Sequence, residues 1–124
     1  MTDLGWLYDK IFDANPERSI QTLIRRIGKL AEECGELWEA YLNVTSRHNG
    51  KNKTWDDVRE ESIDVAIVAL DIVATRLPID EGKTEEEMRE ELIDMINKKL
   101  EKWKISSAAK QDAVSEEGSR YGKI

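Results

Sequence analysis

Residues 29–40 of this chain read KLAEECGELWEA, and residues 60–65 read EESIDV. Each stretch contains two acidic side chains three residues apart: Glu33 with Glu36, and Glu61 with Asp64. Side chains at i and i+3 share one face of a helix. The connector between the stretches contains a turn, so the two helices can fold back on each other. The acidic pairs each lie roughly two turns from that connector, at about 3.6 residues per turn, and therefore meet at the same height.

Four carboxylates at one level repel each other unless a cation neutralises them. Asp64 adds a second argument, because it lies in an apolar run in which no Lys or Arg occurs between residues 60 and 75. An unpaired charge in an apolar setting destabilises the folded state by ~3–5 kcal/mol. A hard divalent cation with oxygen ligands, such as Mg²⁺, is the natural partner for these side chains.

The first acidic pair lies in a predicted helix over residues 17–43. Asn15-Pro16 is typical of a helix start, with Asn as the N-cap and Pro at the first helical position. Apolar side chains recur at steps of three and four and form one stripe along the predicted helix. The stripe consists of Ile20, Leu23, Ile24, Ile27, Leu30, Ala31, Cys34, Leu37, Trp38 and Tyr41.

The second pair lies in a predicted helix over residues 55–77. The polar connector 44–54 contains the turn signal Asn49-Gly50. Thr54 and Asp57 resemble a capping box, and Pro78 ends the helix. SIDVAIVALDIVATRL within it is apolar on most sides, which predicts that the helix is buried on most sides.

Two further helices complete the predicted fold. A short one covers residues 4–12, and a last one over residues 84–104 begins with the capping box Thr84-Glu85-Glu86-Glu87. The sequence thus predicts an all-α helical domain over residues 1–104. For the tail, 105–124, a mobile arm and a segment packed on a partner subunit stay open as alternatives.

Composition excludes several classes of function. The chain has 124 residues with 19 basic and 26 acidic side chains, a net charge of −7. This balance argues against nonspecific binding to nucleic acid or to an anionic membrane. The one cysteine, Cys34, allows no intrachain disulfide and fits a reducing compartment. Without a signal-like start or a long apolar run, we expect a cytoplasmic protein.

The two acidic stretches together resemble the MazG-like family of all-α nucleoside triphosphate pyrophosphohydrolases, which is related to all-α dUTPases and phosphoribosyl-ATP pyrophosphohydrolases. The family pattern is Glu-Glu-x-x-Glu, a spacer, and Glu-x-x-Asp. This chain matches it at Glu32, Glu33, Glu36, Glu61 and Asp64. The resemblance extends over about residues 20–104, and the paired motif is more specific than either half.

The resemblance implies hydrolysis of a nucleotide between its α- and β-phosphates. It also implies Mg²⁺, with Mn²⁺ as a substitute, held by Glu33, Glu36, Glu61 and Asp64. Glu32 is our candidate for the general base that accepts a proton from the attacking water. Five candidate substrate-binding residues accompany these: Lys29 ahead of the acidic pair, Trp38 near Glu36, and Asn97, Lys99 and Lys102 of a last-helix segment that also resembles the family.

We therefore expect an antiparallel, MazG-like bundle with a four-helix-type core that is completed by oligomerisation as a homodimer or homotetramer. The apolar excess of helix 55–77 motivates the oligomer. Alternatives within enzymes are dUTP and phosphoribosyl-ATP as substrates. The alternative outside enzymes is a helical assembly module that retains only a divalent-ion site. The sequence leaves open whether Asp71 binds a sugar hydroxyl, a second metal ion or a partner subunit.

Overall fold

The computed structural model describes the backbone of residues 3–47 and 50–120, and the side chains of residues 4–47 and 50–112. Every regular element in these ranges is helical, which confirms the all-α prediction. None of the helices described is both long enough and apolar enough to cross a bilayer. The helices are α1 (Asp3–Ala14), α2 (Leu23–Thr45), α3 (Trp55–Val73) and α4 (Glu85–Arg120), with short 3₁₀ turns at Ile20–Thr22 and Pro78–Asp80. The chain divides into two compact units, residues 1–85 and 86–124.

In the first unit, α2 and α3 form an antiparallel hairpin. At one end, Arg26 Nη1 of α2 donates to Thr75 Oγ1, just after α3, over 2.8 Å. At the other end, the ring centroids of Tyr41 and Trp55 are 6.4 Å apart. Because the two helices are antiparallel, residues in the middle of α2 face residues in the middle of α3 at the same height. The positions of the two acidic pairs in the sequence predicted this arrangement.

The predicted capping box at the start of α3 is confirmed. Thr54 Oγ1 accepts from the Asp57 backbone N–H over 3.2 Å, and the Asp57 carboxylate accepts from the Thr54 N–H over 2.7 Å. The hydrogen bonds from Thr54 lower the pKa of Asp57 below its ordinary value. The preceding turn signal involves Asn49, which lies outside the described residues.

The predicted start of α2 at Asn15-Pro16 is wrong. Residues 15–19 are irregular, and Ser19 instead caps the 3₁₀ turn by accepting from the Gln21 N–H. Tertiary contacts outweigh the local capping preference here. The Asn15 side chain donates to Asp71 over 3.0 Å, and the Arg18 backbone oxygen accepts from the Arg76 N–H over 2.9 Å. The linker between α1 and α2 is therefore held in place by hydrogen bonds to the C-terminal end of α3 and to the residues that follow it.

The prediction that α3 is buried on most sides is wrong for the single chain. No α3 residue is fully buried, and Ile63 and Ile67 are about half exposed, at 52% and 46%. Asp64, whose apolar sequence neighbours suggested burial, is exposed as well. The helix also ends at Val73 rather than near residue 77, since Ala74 and Thr75 turn the chain with capping bonds to the last α3 carbonyls.

The second unit is the continuation of α4. This helix begins directly after Thr84, as expected, but runs to Arg120 instead of ending near residue 104. Residues 105–117 contain neither Pro nor Gly and include Ala, Lys, Gln and Glu, which tolerate a helix well. Among the large apolar side chains of α4, Met88 is buried, whereas Leu100 and Trp103 are exposed. Residues 121–124 lie outside the described part.

Candidate metal centre

Three carboxylates from the two helices of the hairpin converge midway along it. One oxygen each from Glu33 of α2 and from Glu61 and Asp64 of α3 lie within 4.8 Å of one another. The i, i+3 spacing on α3 places Glu61 and Asp64 on one face, and the antiparallel pairing places Glu33 opposite them. The environment is graded, because Glu33 is buried, Glu61 half-buried and Asp64 exposed.

Two carboxylate oxygens in this cluster are buried without a hydrogen-bond partner among the described residues. They are Oε2 of Glu33 and Oε2 of Glu61. Glu33 as a whole is only 6% exposed, so water cannot readily replace a partner. A buried, unpaired carboxylate oxygen is costly, and such groups in proteins are normally hydrogen-bonded or bound to a cation. The donor set therefore fits a hard divalent cation such as Mg²⁺ or Mn²⁺.

Glu36 lies at the edge of the cluster. Its carboxylate is outside the three-oxygen group but close enough to interact with Glu33 and Glu61. The negative charge of Glu33 is the largest cause that raises the pKa of Glu36, followed by desolvation and by the charge of Glu61. A raised pKa of a carboxyl group is the expected mark of uncompensated like charges. The predicted ligand Glu36 thus belongs to the same electrostatic unit.

Lys29 partly compensates this charge. Its Nζ lies 2.9 Å from Glu33 Oε1 and 3.7 Å from Glu32 Oε2. The hydrogen bond to Glu33 is the main cause that raises the pKa of Lys29. Lys29 thus contacts Oε1 of Glu33, whereas Oε2 of Glu33 has no hydrogen-bond partner among the described residues. Glu32, our candidate base, has a side chain 70% exposed and lies outside the three-oxygen group.

An apolar cavity lies towards the loop end of the hairpin. Its volume is about 520 Å³. Trp38, one of the candidate substrate-binding residues, packs edge-on against Tyr41, with ring centroids 6.1 Å apart. The lining residues are Cys34, Leu37, Trp38, Tyr41 and Val58. Leu37 lies four residues after Glu33 on α2 and Val58 lies three residues before Glu61 on α3, so the cavity neighbours the carboxylate cluster along the hairpin.

The other predicted substrate-binding residues lie on α4. Asn97, Lys99 and Lys102 all have exposed side chains and belong to the second unit. Their role in binding a substrate stays a prediction.

Sequence reasoning missed a second cavity, which lies at the start of α2 and is about 340 Å³ in volume. Its basic side chains are Arg25, Arg26 and Lys29. Asp71 is part of its wall and is bound within the chain: its Oδ2 lies 3.3 Å from Arg26 Nε and accepts from Asn15. The sequence did contain a signal for this cavity. Arg25, Lys29 and Glu33 follow each other at four-residue steps, and this spacing places the two cations on the same helix face as the acidic residue.

Comparison with known proteins gives no relative from which a function could be transferred. No protein-family model, no curated protein and no solved structure matches this chain. The functional argument therefore rests on the residues of the chain itself.

Proposed function

We propose that this chain is a Mg²⁺-dependent nucleoside triphosphate pyrophosphohydrolase of the MazG-like type, acting in the cytoplasm on nucleotide pools. The single observation that carries the proposal is that Glu33, which shares a carboxylate cluster with Glu61 and Asp64, has a buried Oε2 without a hydrogen-bond partner among the described residues. A buried carboxylate of this kind is expensive to maintain unless the native state uses it for a cation. The resemblance in the two acidic stretches assigns that cation to nucleotide hydrolysis.

The acidic residues of the site have two proposed roles, metal binding and acceptance of a proton. Glu33, Glu61 and Asp64, with Glu36 beside them, would hold the metal ion. When bound, Mg²⁺ supplies charge neutralisation at the phosphates and acidifies a coordinated water. Water adds to the α-phosphorus, and the bond from that phosphorus to the oxygen bridging to the β-phosphate breaks. The products are a nucleoside monophosphate and pyrophosphate, and the proton passes to a carboxylate, for which Glu32 is the candidate.

The open side of the cluster supports access by a substrate. Asp64 is exposed, so the ion would face solvent on the α3 side while Glu33 holds it from the buried side. The apolar cavity beside Trp38 provides a surface on which a nucleobase can stack. Lys29, which contacts Glu33 at the cluster, would also compensate phosphate charge there.

A homodimer or homotetramer is part of the proposal. A second copy would cover apolar side chains that the single chain leaves exposed, among them Ile63 and Ile67 of α3 and Ile24 and Ile27 of α2. A second copy would complete a four-helix-type core. The molar mass by light scattering tests this, and a monomer at all concentrations would contradict it.

The experiment is a survey of turnover with products identified. The purified chain is incubated with the common NTPs and dNTPs and with dUTP, with and without Mg²⁺. We expect monophosphate and pyrophosphate only when metal is present. Glu61→Gln should abolish turnover, while its neighbour Glu60→Gln, an exposed residue outside the cluster, should retain it. No turnover by folded protein, followed by none on phosphoribosyl-ATP, would refute the enzyme and favour a noncatalytic metal-binding module.

A further inference from the structure

The cavity at the start of α2 contains more positive than negative charge. Three cations, Arg25, Arg26 and Lys29, line it together with two carboxylates, Glu17 and Asp71. The excess is modest by count, so the decisive question is which of these charges is already used by the protein itself.

Both carboxylates are used within the chain. Asp71 Oδ2 lies 3.3 Å from Arg26 Nε and accepts from the Asn15 amide over 3.0 Å. Glu17 Oε1 accepts from the Ser19 backbone N–H over 2.8 Å. These bonds hold the acidic groups against the walls of the cavity.

Arg26 is equally committed. Its guanidinium is buried and, besides Asp71, donates to Thr75 Oγ1 and to the backbone oxygen of Glu17. Arg26 therefore connects the start of α2 to the end of α3 through these hydrogen bonds and this ion pair. A ligand in the cavity would meet its positive field but few free donors.

Arg25 is the open cation of the cavity. Its side chain is exposed and makes no hydrogen bond or ion pair with any of the residues the structure describes. An arginine fork with free donors is well suited to a phosphate. Arg25 precedes Lys29 by four residues, and Lys29 precedes Glu33 by four, so each step is about 6 Å along the helix axis.

The cavity at the start of α2 and the carboxylate cluster are therefore connected by a line of three side chains, Arg25, Lys29 and Glu33. Lys29 connects the two, since it lines the cavity and contacts Glu33. If the α-phosphate lay beside the carboxylate cluster, a polyphosphate chain extending along α2 would reach Lys29 and then Arg25. The opposite direction along α2 leads to the apolar cavity beside Trp38, and the residues described in the lining of that cavity include no cation.

We propose that the cavity lined by Arg25, Arg26 and Lys29 binds the terminal phosphates of the substrate, and that Arg25 binds the pyrophosphate that leaves; this inference rests on the proposed function. Arg25 thereby selects triphosphates over shorter phosphate chains. It adds a specificity-determining residue to the site that the acidic motifs do not contain.

The test measures binding of inorganic tripolyphosphate to the full chain by calorimetry in the presence of Mg²⁺. Arg25→Gln should weaken this binding about tenfold or more, as expected for a lost charge-assisted contact. Arg25→Lys, which keeps the charge but not the fork, should weaken it less. Arg59→Gln is the matched control, because Arg59 is an exposed helical arginine that lines neither cavity.

Mg²⁺ binding measured without phosphate provides the second readout, and Arg25→Gln should leave it within about twofold of wild type, since less than ~0.5 kcal/mol is expected at a distant surface site. The proposal is overturned if tripolyphosphate does not bind, if Arg25→Gln binds it like wild type, or if Arg59→Gln weakens it equally. These outcomes are separate from failure of the proposed function. Nucleotide turnover unaffected by Arg25→Gln would overturn this inference alone, whereas Arg25-dependent tripolyphosphate binding without any nucleotide turnover would refute the hydrolase.

Discussion

Replacing Glu61 with Gln is expected to stabilise the metal-free protein and to remove most of the stabilisation that Mg²⁺ provides. Glu61 has a carboxylate oxygen within 4.8 Å of oxygens of both Glu33 and Asp64, and its Oε2 is buried without a partner among the described residues. The substitution keeps the shape of the side chain and removes one of the converging negative charges. The new amide can also donate to a neighbouring carboxylate.

The size of the effect follows from the distance. Two unit charges 4.8 Å apart repel by about 0.9 kcal/mol in water and by about 3.5 kcal/mol at an effective dielectric constant of about 20. Lys29 offsets part of the charge on Glu33, and Asp64 is exposed to solvent, so the smaller of the two repulsion energies applies. We therefore expect a gain of about 1 kcal/mol without metal. For a domain of this size, that gain corresponds to a rise in Tm of roughly 3–5 °C.

The assay is thermal unfolding followed by circular dichroism, first with EDTA and then with Mg²⁺. Wild type should gain about 2.7 kcal/mol at a Mg²⁺ concentration of about one hundred times Kd, and Glu61→Gln should gain less than half of that. Glu60→Gln, the adjacent exposed residue, should follow wild type within ~0.5 kcal/mol under both conditions. A lower Tm of Glu61→Gln in EDTA, or an undiminished Mg²⁺ response, would refute the account of the cluster as a cation site.

Three further predictions concern the framework that positions the site. Arg26→Met should destabilise the fold by about 3 kcal/mol in urea denaturation, because the half-buried Asp71 loses its charge partner, and the double variant with Asp71→Leu should recover most of the loss; equal stability of the single variant and wild type would contradict this. Thr54→Ala should cost about 1 kcal/mol through loss of the N-cap, and an unchanged urea midpoint would argue against the capping box. The Leu77 N–H is the main cause that lowers the pKa of Asp80 below its ordinary value of 3.8. The stability from Asp80 is thus fully present at pH values well above 3.8 and is lost as the pH falls through the lowered pKa, so the difference in stability between wild type and Asp80→Asn should be largest near pH 6 and should shrink as the pH falls below about 4; a difference that stays constant would contradict this.

Local sequence signals located most of the helices. The capping box at Thr54 specified the start of α3, because its two hydrogen bonds lie within four residues and need no help from the rest of the fold. The signal at Asn15 failed for the opposite reason. Its side chain found a long-range partner in Asp71, and the linker was fixed by contacts that the local sequence does not contain.

Of the four predicted metal ligands, the structure brings Glu33, Glu61 and Asp64 together and leaves Glu36 at the edge of the cluster. Helical spacing put Glu61 and Asp64 on one face, and the turn between the helices brought Glu33 opposite them. Burial was not predictable in the same way. Asp64 lies in the most apolar run of the chain yet is exposed, because apolar neighbours in sequence become neighbours in space only where another element covers them.

The sequence by itself determined that this protein is helical, that two acidic pairs share a level in a hairpin, and that Lys29 lies one turn before the first of them. Periodicity and capping decide such features, and both act over a few residues. Only the tertiary structure decided that Glu33 is the buried member of the cluster, that Asp71 is bound by Arg26, and that Arg25 is left as an open cation. Burial and charge pairing depend on residues tens of positions apart, and the fold alone determines which of them meet.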